Sequence, residues 1–395
     1  MGTVILKRGR EKAVLNRHPW VFSGAIAQIE GRSEDGDVVE VLDHQRQFLA
    51  KGYLNRRSQI TVRLLSWSVA QAIDDAFWQG RIEAAVHARD TLLQEHHTDA
   101  CRLIHAESDR LPGLVVDRYG SFLVLQALTL GIERRKAELV QILAARLKPT
   151  GIYERSDVDV RTKEGLEPCQ GPLWGEEPPD LIEIMENGRR FRVDIQRGQK
   201  TGFYLDQREN RVKLARYCVG RTVLNAFAYT GSFGICAVQA GAQRLTQVDT
   251  SLEALALARQ NMETNGLQRA EDEYVVGDVF AVLRQYRAQG RKFGLIILDP
   301  PKFAQSQAQL TAACHGYQDI NRIAMQILEP DGILFTMSCS GLVTPDLFQK
   351  VVFGASVEAE RDVQVLERLA QAADHPFLLS FPEGEYLKGL VCRVL

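Results

Sequence analysis

The chain has 395 residues, a formal net charge of −2, 45 % hydrophobic and 25 % charged residues. That length predicts two or three domains around substantial cores, and the charge argues against a globally basic nucleic-acid binder, so any such contact needs a local patch. Seven cysteines without a CxxC pair argue against a cysteine zinc site and a disulfide framework and fit a reducing cytoplasm; no metal is expected.

In chain order, the N-terminal MGTVILKRGREK has no apolar core of a signal peptide, so a cytoplasmic protein is expected. Residues 1–75 carry short β-like runs, VFSGAIAQI, DVVEVLD, FLAKGYL and ITVRLLS, parted by turn-rich stretches; they predict a small β-rich domain. Its first segment is locally basic through Lys7, Arg8, Arg10, Lys12 and Arg17, with Trp20 and Phe22 close by. Basic runs are commonly solvated surface, and this one is also a candidate RNA contact, with the aromatics available for stacking.

Residues 76–180 predict a middle α+β domain with its linker. FWQGRIEAAVHARDTLLQEHH places Ile82, Ala85, Val86, Leu92 and Leu93 on one helical face. LPGLVVDRYGSFLVLQALT predicts two strands turning at Tyr119-Gly120-Ser121, followed by the helix IERRKAELVQILAARL and the strand GIYER. EPCQGPLWGEEPPD, rich in Pro and Gly, predicts a linker over 167–180. Residues 181–395 then open on LIEIMENGRRFRVDI, a β-hairpin signal around Asn187-Gly188.

From Arg221 the pattern alternates strand and helix. The strands are TVLNAFA, RLTQVD, EYVVGD, LIILD and ILFTMS, with helices at 232–240, 251–265, 279–288 and about 315–328. This predicts an α/β domain on a parallel sheet covered on both faces. The uncharged run from Thr222 to Gln243 contains Asn225, Gly231, Gly234 and Gly241, which suits strand, turn and helix better than a bilayer span.

In such sheets ligands lie outside the carboxyl ends of the strands. Three strands end in Asp249, Asp278 and Asp299, beside the turn NAFAYTGSFG. An aspartate there is also a common helix cap. The turn lacks G-x-G-x-x-G and carries no Lys or Arg for a pyrophosphate. A nucleoside without phosphates, carrying a cationic sulfonium, fits: S-adenosylmethionine, with NAD the weaker alternative. Asp249 lies where an acidic residue reaches ribose hydroxyls; Asp278 is a candidate partner for the adenine amino group. Ser251 is expected to cap the next helix.

LIILDPPKF ends an apolar strand in two prolines that cannot continue a sheet, leaving Asp299 and its neighbours as an acceptor cluster for the amino edge of a base. Cys339, in ILFTMSCSG, ends the next strand. A free cysteine is usually a small buried hydrophobe, but the flanking serines and the strand end favour a nucleophile. Methylation of cytosine carbon 5 requires one: a thiolate adds to carbon 6 and makes carbon 5 nucleophilic. The base must be unpaired or flipped out to reach this depth.

TGFYLDQRENR, NAFAYTGSFG, LDPPKF, CHGYQDINR, SCSG and ADHPFLLSFPEGEYLKG together resemble the bacterial 23S rRNA cytosine-C5 methyltransferases of the ribosomal large subunit methyltransferase I family, over essentially the whole chain. The resemblance implies an N-terminal PUA-like RNA-binding domain over 1–75, a middle α+β domain, and a C-terminal class I, Rossmann-like S-adenosylmethionine-dependent methyltransferase domain. It implies Phe203, Asp206 and Arg211 over the cofactor, with Asn225, Phe227, Tyr229, Gly231, Asp249, Ser251, Asp278 and Asp299 binding it or framing the base. Cys339 would be the nucleophile and 23S ribosomal RNA, free or in a large-subunit precursor, the partner; a homodimer is left open. One departure stands out. Many RNA cytosine-C5 methyltransferases have a second cysteine after the proline of this DPP-like motif, where Pro301 and Lys302 stand here. The group that takes the carbon-5 proton is therefore open, and Lys302, a residue normally charged at neutral pH, is a poor base. The alternatives are an RNA guanine-N methyltransferase, which needs no thiolate, and a non-catalytic RNA-binding assembly factor.

Overall fold

The computed structural model describes residues 2–95, 97–304 and 306–395. The chain divides into two compact units that are discontinuous in sequence. The first comprises Met1–Gly188, Val193–Leu205 and Asp374–Gly384; the second comprises Arg189–Arg192, Asp206–Ala373 and Glu385–Leu395.

The first unit holds two sheets. One is six-stranded, in the order Trp20–Phe22, Ile60–Ser66, Phe48–Leu54, Val38–Leu42, Gly2–Leu6, Ile26–Glu30. Its alternating apolar residues, Val4, Leu6, Val39, Val41, Val62 and Leu64, point into one small core. The other is five-stranded, in the order Cys169–Gly175, Gly151–Ser156, Phe122–Ala127, Leu114–Tyr119, Ala100–His105. The helices Asp75–His87 and Lys136–Leu147 bury Trp78, Ile82, Leu139 and Leu143 in its core. Arg63 of the first sheet donates to Glu107 and Glu164, each at 2.9 Å, and all three are buried. Half of the predicted linker is not a linker: its Pro/Gly run forms the edge strand Cys169–Gly175. Pro172 is tolerated there because an edge strand can lose an N–H donor. Asp374–Gly384, expected with the C-terminal sheet, is tied into this unit: Asp374 accepts from the Arg102 backbone N–H at 2.8 Å and Phe381 packs on Trp20.

The second unit is built on one seven-stranded sheet. Its strands are β1 (Thr222–Ala226), β2 (Arg244–Asp249), β3 (Glu273–Val276), β4 (Phe293–Leu298), β5 (Leu328–Ser338), β6 (Val363–Ala370) and β7 (Lys388–Val394). The spatial order is β3-β2-β1-β4-β5-β7-β6. The first five are parallel neighbours, whereas β7 runs antiparallel to both β5 and β6. The sheet is thus mixed at one edge, where a wholly parallel one was expected. Its helices are α1 (Arg208–Leu214), α2 (Ser232–Gln239), α3 (Leu252–Thr264), α4 (Val279–Ala288), α5 (Leu310–Ile327) and α6 (Pro345–Glu358). Helix α5 shows why these segments dock. Ala313, Tyr317, Ile320, Ala324 and Ile327 recur at helical spacing and all are buried. They join Leu224, Ile296, Leu298, Leu334 and Leu390 of the strands in one core. Because β1 to β5 are parallel, their carboxyl ends open on one edge, and the acidic residues and Cys339 are delivered there.

Candidate active site

The turn after β1 is held in an unusual shape. Phe227, Tyr229 and Gly231 all have positive φ, at 62°, 49° and 79°. Such values are strained for the two aromatics and are retained only where the surroundings impose them. Asp249, ending β2, supplies part of that constraint: its carboxylate accepts from the Tyr229 N–H at 2.8 Å and the Ser251 N–H at 3.0 Å. Gly231 and Gly234 are required by packing. A Cβ at Gly231 would lie 2.8 Å from that of Ala258, and one at Gly234 would lie 2.6 Å from Gln247 Oε1. Asn225 and Thr230 are 1 % and 3 % exposed, yet Asn225 Oδ1 and Thr230 Oγ1 have no protein hydrogen-bond partner among the described residues. Buried polar atoms are rarely left so, and these sit at the end of β1 and in the turn after it, which carries no basic side chain. Their donor and acceptor character fits a nucleoside cofactor without phosphates.

Two of the predicted cofactor residues act visibly as caps. Ser251 Oγ accepts from the Ala254 N–H at 3.1 Å, starting α3, and Asp278 accepts from the Ala281 N–H at 2.9 Å, starting α4. Asp206 is buried and accepts from the Tyr386 hydroxyl at 2.7 Å; Arg211 is buried with its guanidinium 3.5 Å from Ser232 Oγ, at the start of α2. Phe203 belongs to the other unit, where its side chain is 2 % exposed.

At the end of β4, Asp299 accepts from Gln207 Nε2 at 2.9 Å, and Gln207 in turn accepts from Asn210 at 2.6 Å. Cys339 follows β5 directly and is half-buried, with Sγ 3.9 Å from the Pro300 carbonyl. The structure thus brings the thiol to the DPP turn. Its flanking serines are fully buried: Ser338 donates to the Tyr317 hydroxyl at 2.9 Å, and Ser340 Oγ lies 3.2 Å from it. Burial pushes the Tyr317 phenol up, keeping it neutral. Lys388, first residue of β7, is 5 % exposed and donates to the Ser340 carbonyl at 2.7 Å. Burial pulls its amine down to about 8, partly offset by Cys339 and Glu385, with Lys302 acting in the lowering direction. Gln207, Tyr317 and Lys388 were not singled out from sequence. All three lie inside quoted stretches, Gln207 in TGFYLDQRENR, Tyr317 in CHGYQDINR and Lys388 in ADHPFLLSFPEGEYLKG, but Tyr317 and Lys388 meet the site only through tertiary contacts.

In the first unit, Arg8, Arg10, Lys12 and Arg17 are exposed, while Lys7, also exposed, donates to the Gly24 carbonyl at 3.0 Å. Arg17 lies over the Trp67 ring at 5.3 Å. Trp20 is not free for stacking: its indole N–H donates to Glu107 at 2.8 Å and its ring packs on Phe381. Phe22 is 47 % exposed.

Sheet order, glycine turn and acidic strand ends define an S-adenosylmethionine-dependent methyltransferase. Residues 165–388 match the S-adenosylmethionine-dependent methyltransferase family and residues 4–67 a PUA-like domain. Over 392 residues the chain is 49 % identical to the ribosomal RNA large subunit methyltransferase I of Klebsiella pneumoniae subsp. pneumoniae, covering 99 % of this chain and 98 % of that one. It is 50 % identical to the protein of that name from Escherichia coli O127:H6, covering 99 % of both. A solved structure described as a SAM-dependent methyltransferase of Streptococcus mutans shares the fold, with a TM-score of 0.86, 24 % identity and full coverage of both chains. Another methyltransferase, complexed with SAH, superposes with a TM-score of 0.88 and 24 % identity, again over both whole chains. The chain belongs to the ribosomal RNA large subunit methyltransferase I family. Its cofactor is S-adenosylmethionine. No helix among the described residues is long and apolar enough to cross a membrane.

Proposed function

We propose that the protein methylates carbon 5 of one cytosine in 23S ribosomal RNA, in the cytoplasm, through a covalent bond between Cys339 and carbon 6. The relatives' names supply the large-subunit RNA as substrate. The observation that carries the chemistry is the approach of Cys339 Sγ to the Pro300 carbonyl, which sets a thiol beside the acceptors of the DPP turn.

When bound, S-adenosylmethionine supplies an electrophilic methyl group on a sulfonium. Asn225, the strained turn at Phe227, Tyr229 and Gly231, and Asp249 would hold its nucleoside, since Asp249 keeps lone pairs beyond the two backbone bonds it accepts. Arg211 and Asp206 would orient its amino-acid end. Asp278 would take the adenine amino group, and Ser251 acts by fixing α3. Asp299, oriented by Gln207, would bind the N3/N4 edge of cytosine. The Cys339 thiolate adds to carbon 6, and carbon 5 becomes the nucleophile for the methyl group. The carbon-5 proton then leaves to water, the carbon–sulfur bond breaks with its electron pair returning to sulfur, and aromaticity is restored. Lys7, Arg8, Arg10, Lys12 and Arg17 would hold RNA phosphates.

Mass mapping of ribosomal RNA from cells lacking the protein tests this reading. The expected result is the loss of one methyl group from one 23S cytosine, restored in vitro by the purified protein with S-adenosylmethionine. A missing methyl on a guanine nitrogen, or none missing, would overturn it.

A further inference from the structure

We propose that Lys388 is a positioning residue for this reaction, its buried ammonium holding the Cys339 sulfur as a thiolate. The inference rests on the reading of Cys339 as the nucleophile.

The placement comes from strand register. Lys388 pairs with Ser338 across the antiparallel β5–β7 ladder, and its Nζ reaches the carbonyl of Ser340 at 2.7 Å. One end of the side chain is thus anchored opposite the residue before Cys339 and the other bonds the residue after it. Buried Lys51 and half-buried Lys136 are better compensated. Lys51 donates to two carbonyls at 2.8 Å each, and Lys136 donates to the carboxylates of Glu133 and Glu154 at 2.7–3.0 Å. Lys388 has three N–H donors and, among the described residues, one neutral acceptor. A buried ammonium satisfied only so far is costly unless an anion faces it.

The charged and titratable groups around it are few. Glu385 precedes β7 and is half-buried; Lys302 follows the DPP turn and is exposed; Cys339 follows β5, and its flanking Ser338 bonds the neutral Tyr317 of α5. Asp299 is turned toward Gln207. Cys339 heads the groups that favour the charged form of Lys388. By reciprocity the ammonium favours the thiolate to the same extent. An ordinary thiol, with pKa near ~8.5, is only a few per cent ionised at neutral pH, so a buried cation beside it changes the reactive fraction directly. The proton balance is simple. The S–H bond breaks, its electron pair stays on sulfur, and the proton leaves to water, because the ammonium already carries its full set of protons. When the carbon–sulfur bond later breaks, the returning thiolate meets the same cation.

The test is the rate at which iodoacetamide alkylates Cys339 in the full-length protein as a function of pH, followed on the Cys339 peptide by mass spectrometry. The wild-type profile is expected to have its midpoint below the ordinary thiol value. In Lys388→Met the rate at pH 7 should fall about tenfold, with the midpoint about one unit higher. Lys388→Arg should restore the profile, because it returns the charge, and unchanged SAH affinity would show that each variant is folded. A Lys388→Met profile identical to wild type overturns the proposal. So does a wild-type midpoint at or above the ordinary thiol value, which needs no variant. Failure of the underlying reading is separate: it would appear as methyl transfer persisting in Cys339→Ala, whereas alkylation is read without RNA.

Discussion

The proposed cofactor end and the proposed reacting end of the seven-stranded sheet are organised by different means. At the carboxyl ends of β1 to β3, polar side chains bond to backbone close by in sequence or on the next strand: Asp249 to Tyr229 and Ser251, Ser251 to Ala254, Asp278 to Ala281. At the ends of β4 and β5, the partners are far apart in sequence: Gln207 with Asp299, Tyr317 with Ser338, Lys388 with Ser340. The first arrangement shapes a turn and leaves acceptors for a ligand. The second surrounds one half-buried thiol with a buried, largely satisfied polar network, where electrostatic effects are stronger than in water. Binding and chemistry should therefore separate under mutation.

The largest separation is expected for Cys339→Ala. Methyl transfer should fall by about four orders of magnitude or more while calorimetry finds cofactor affinity within about twofold of wild type; comparable losses of both would erase the distinction between the two ends. Asp249→Ala should do the reverse. Losing a charge-assisted acceptor that also holds the Tyr229 turn should weaken SAH binding by about 10- to 100-fold, and activity should return in part at saturating cofactor. In the first unit, replacing Lys7, Arg8 and Arg10 together with alanine should leave cofactor affinity unchanged. It should weaken RNA binding, with the salt slope shallower by up to about three counterions; an unaltered slope removes the arm from the RNA interface.

The smallest effect concerns stability. Lys388 has its amine lowered from 10.5 to about 8 by burial, so between those values the unfolded chain binds more protons than the folded one. Folding stability from this group must then rise with pH across that window. The melting-temperature advantage of Lys388→Met over wild type should be greatest below pH 8 and shrink toward pH 10.5. An advantage independent of pH would mean that the amine is not desolvated in the fold.

The same contrast explains what could be read from sequence. LIILD and ILFTMS are apolar runs ending in polar residues, and their strands and the edge they open on are legible because periodicity and turn chemistry are local. The acidic strand ends and Cys339 follow from that placement. Strand β6 was not legible, because VQVLERLA is an edge strand with mostly exposed residues and its pairing is settled by β7. The Pro/Gly run at 169–175 hid an edge strand for a related reason: residues that mark loops are tolerated where one side of a strand is unpaired. Lys388 lies in the quoted ADHPFLLSFPEGEYLKG stretch, but nothing local in it marks its role. In sequence it is a lysine before a glycine, and its meaning comes from a carbonyl 48 residues away.

The central claim is that Cys339 bonds to the pyrimidine ring during turnover. RNA containing 5-fluorocytosine at the target position measures this directly, because fluorine at carbon 5 blocks the elimination that would release the enzyme. Incubation with S-adenosylmethionine should give a denaturation-resistant protein–RNA species whose cross-linked peptide contains Cys339. Active enzyme that releases this RNA unattached, or is joined to it through another residue, would contradict the account.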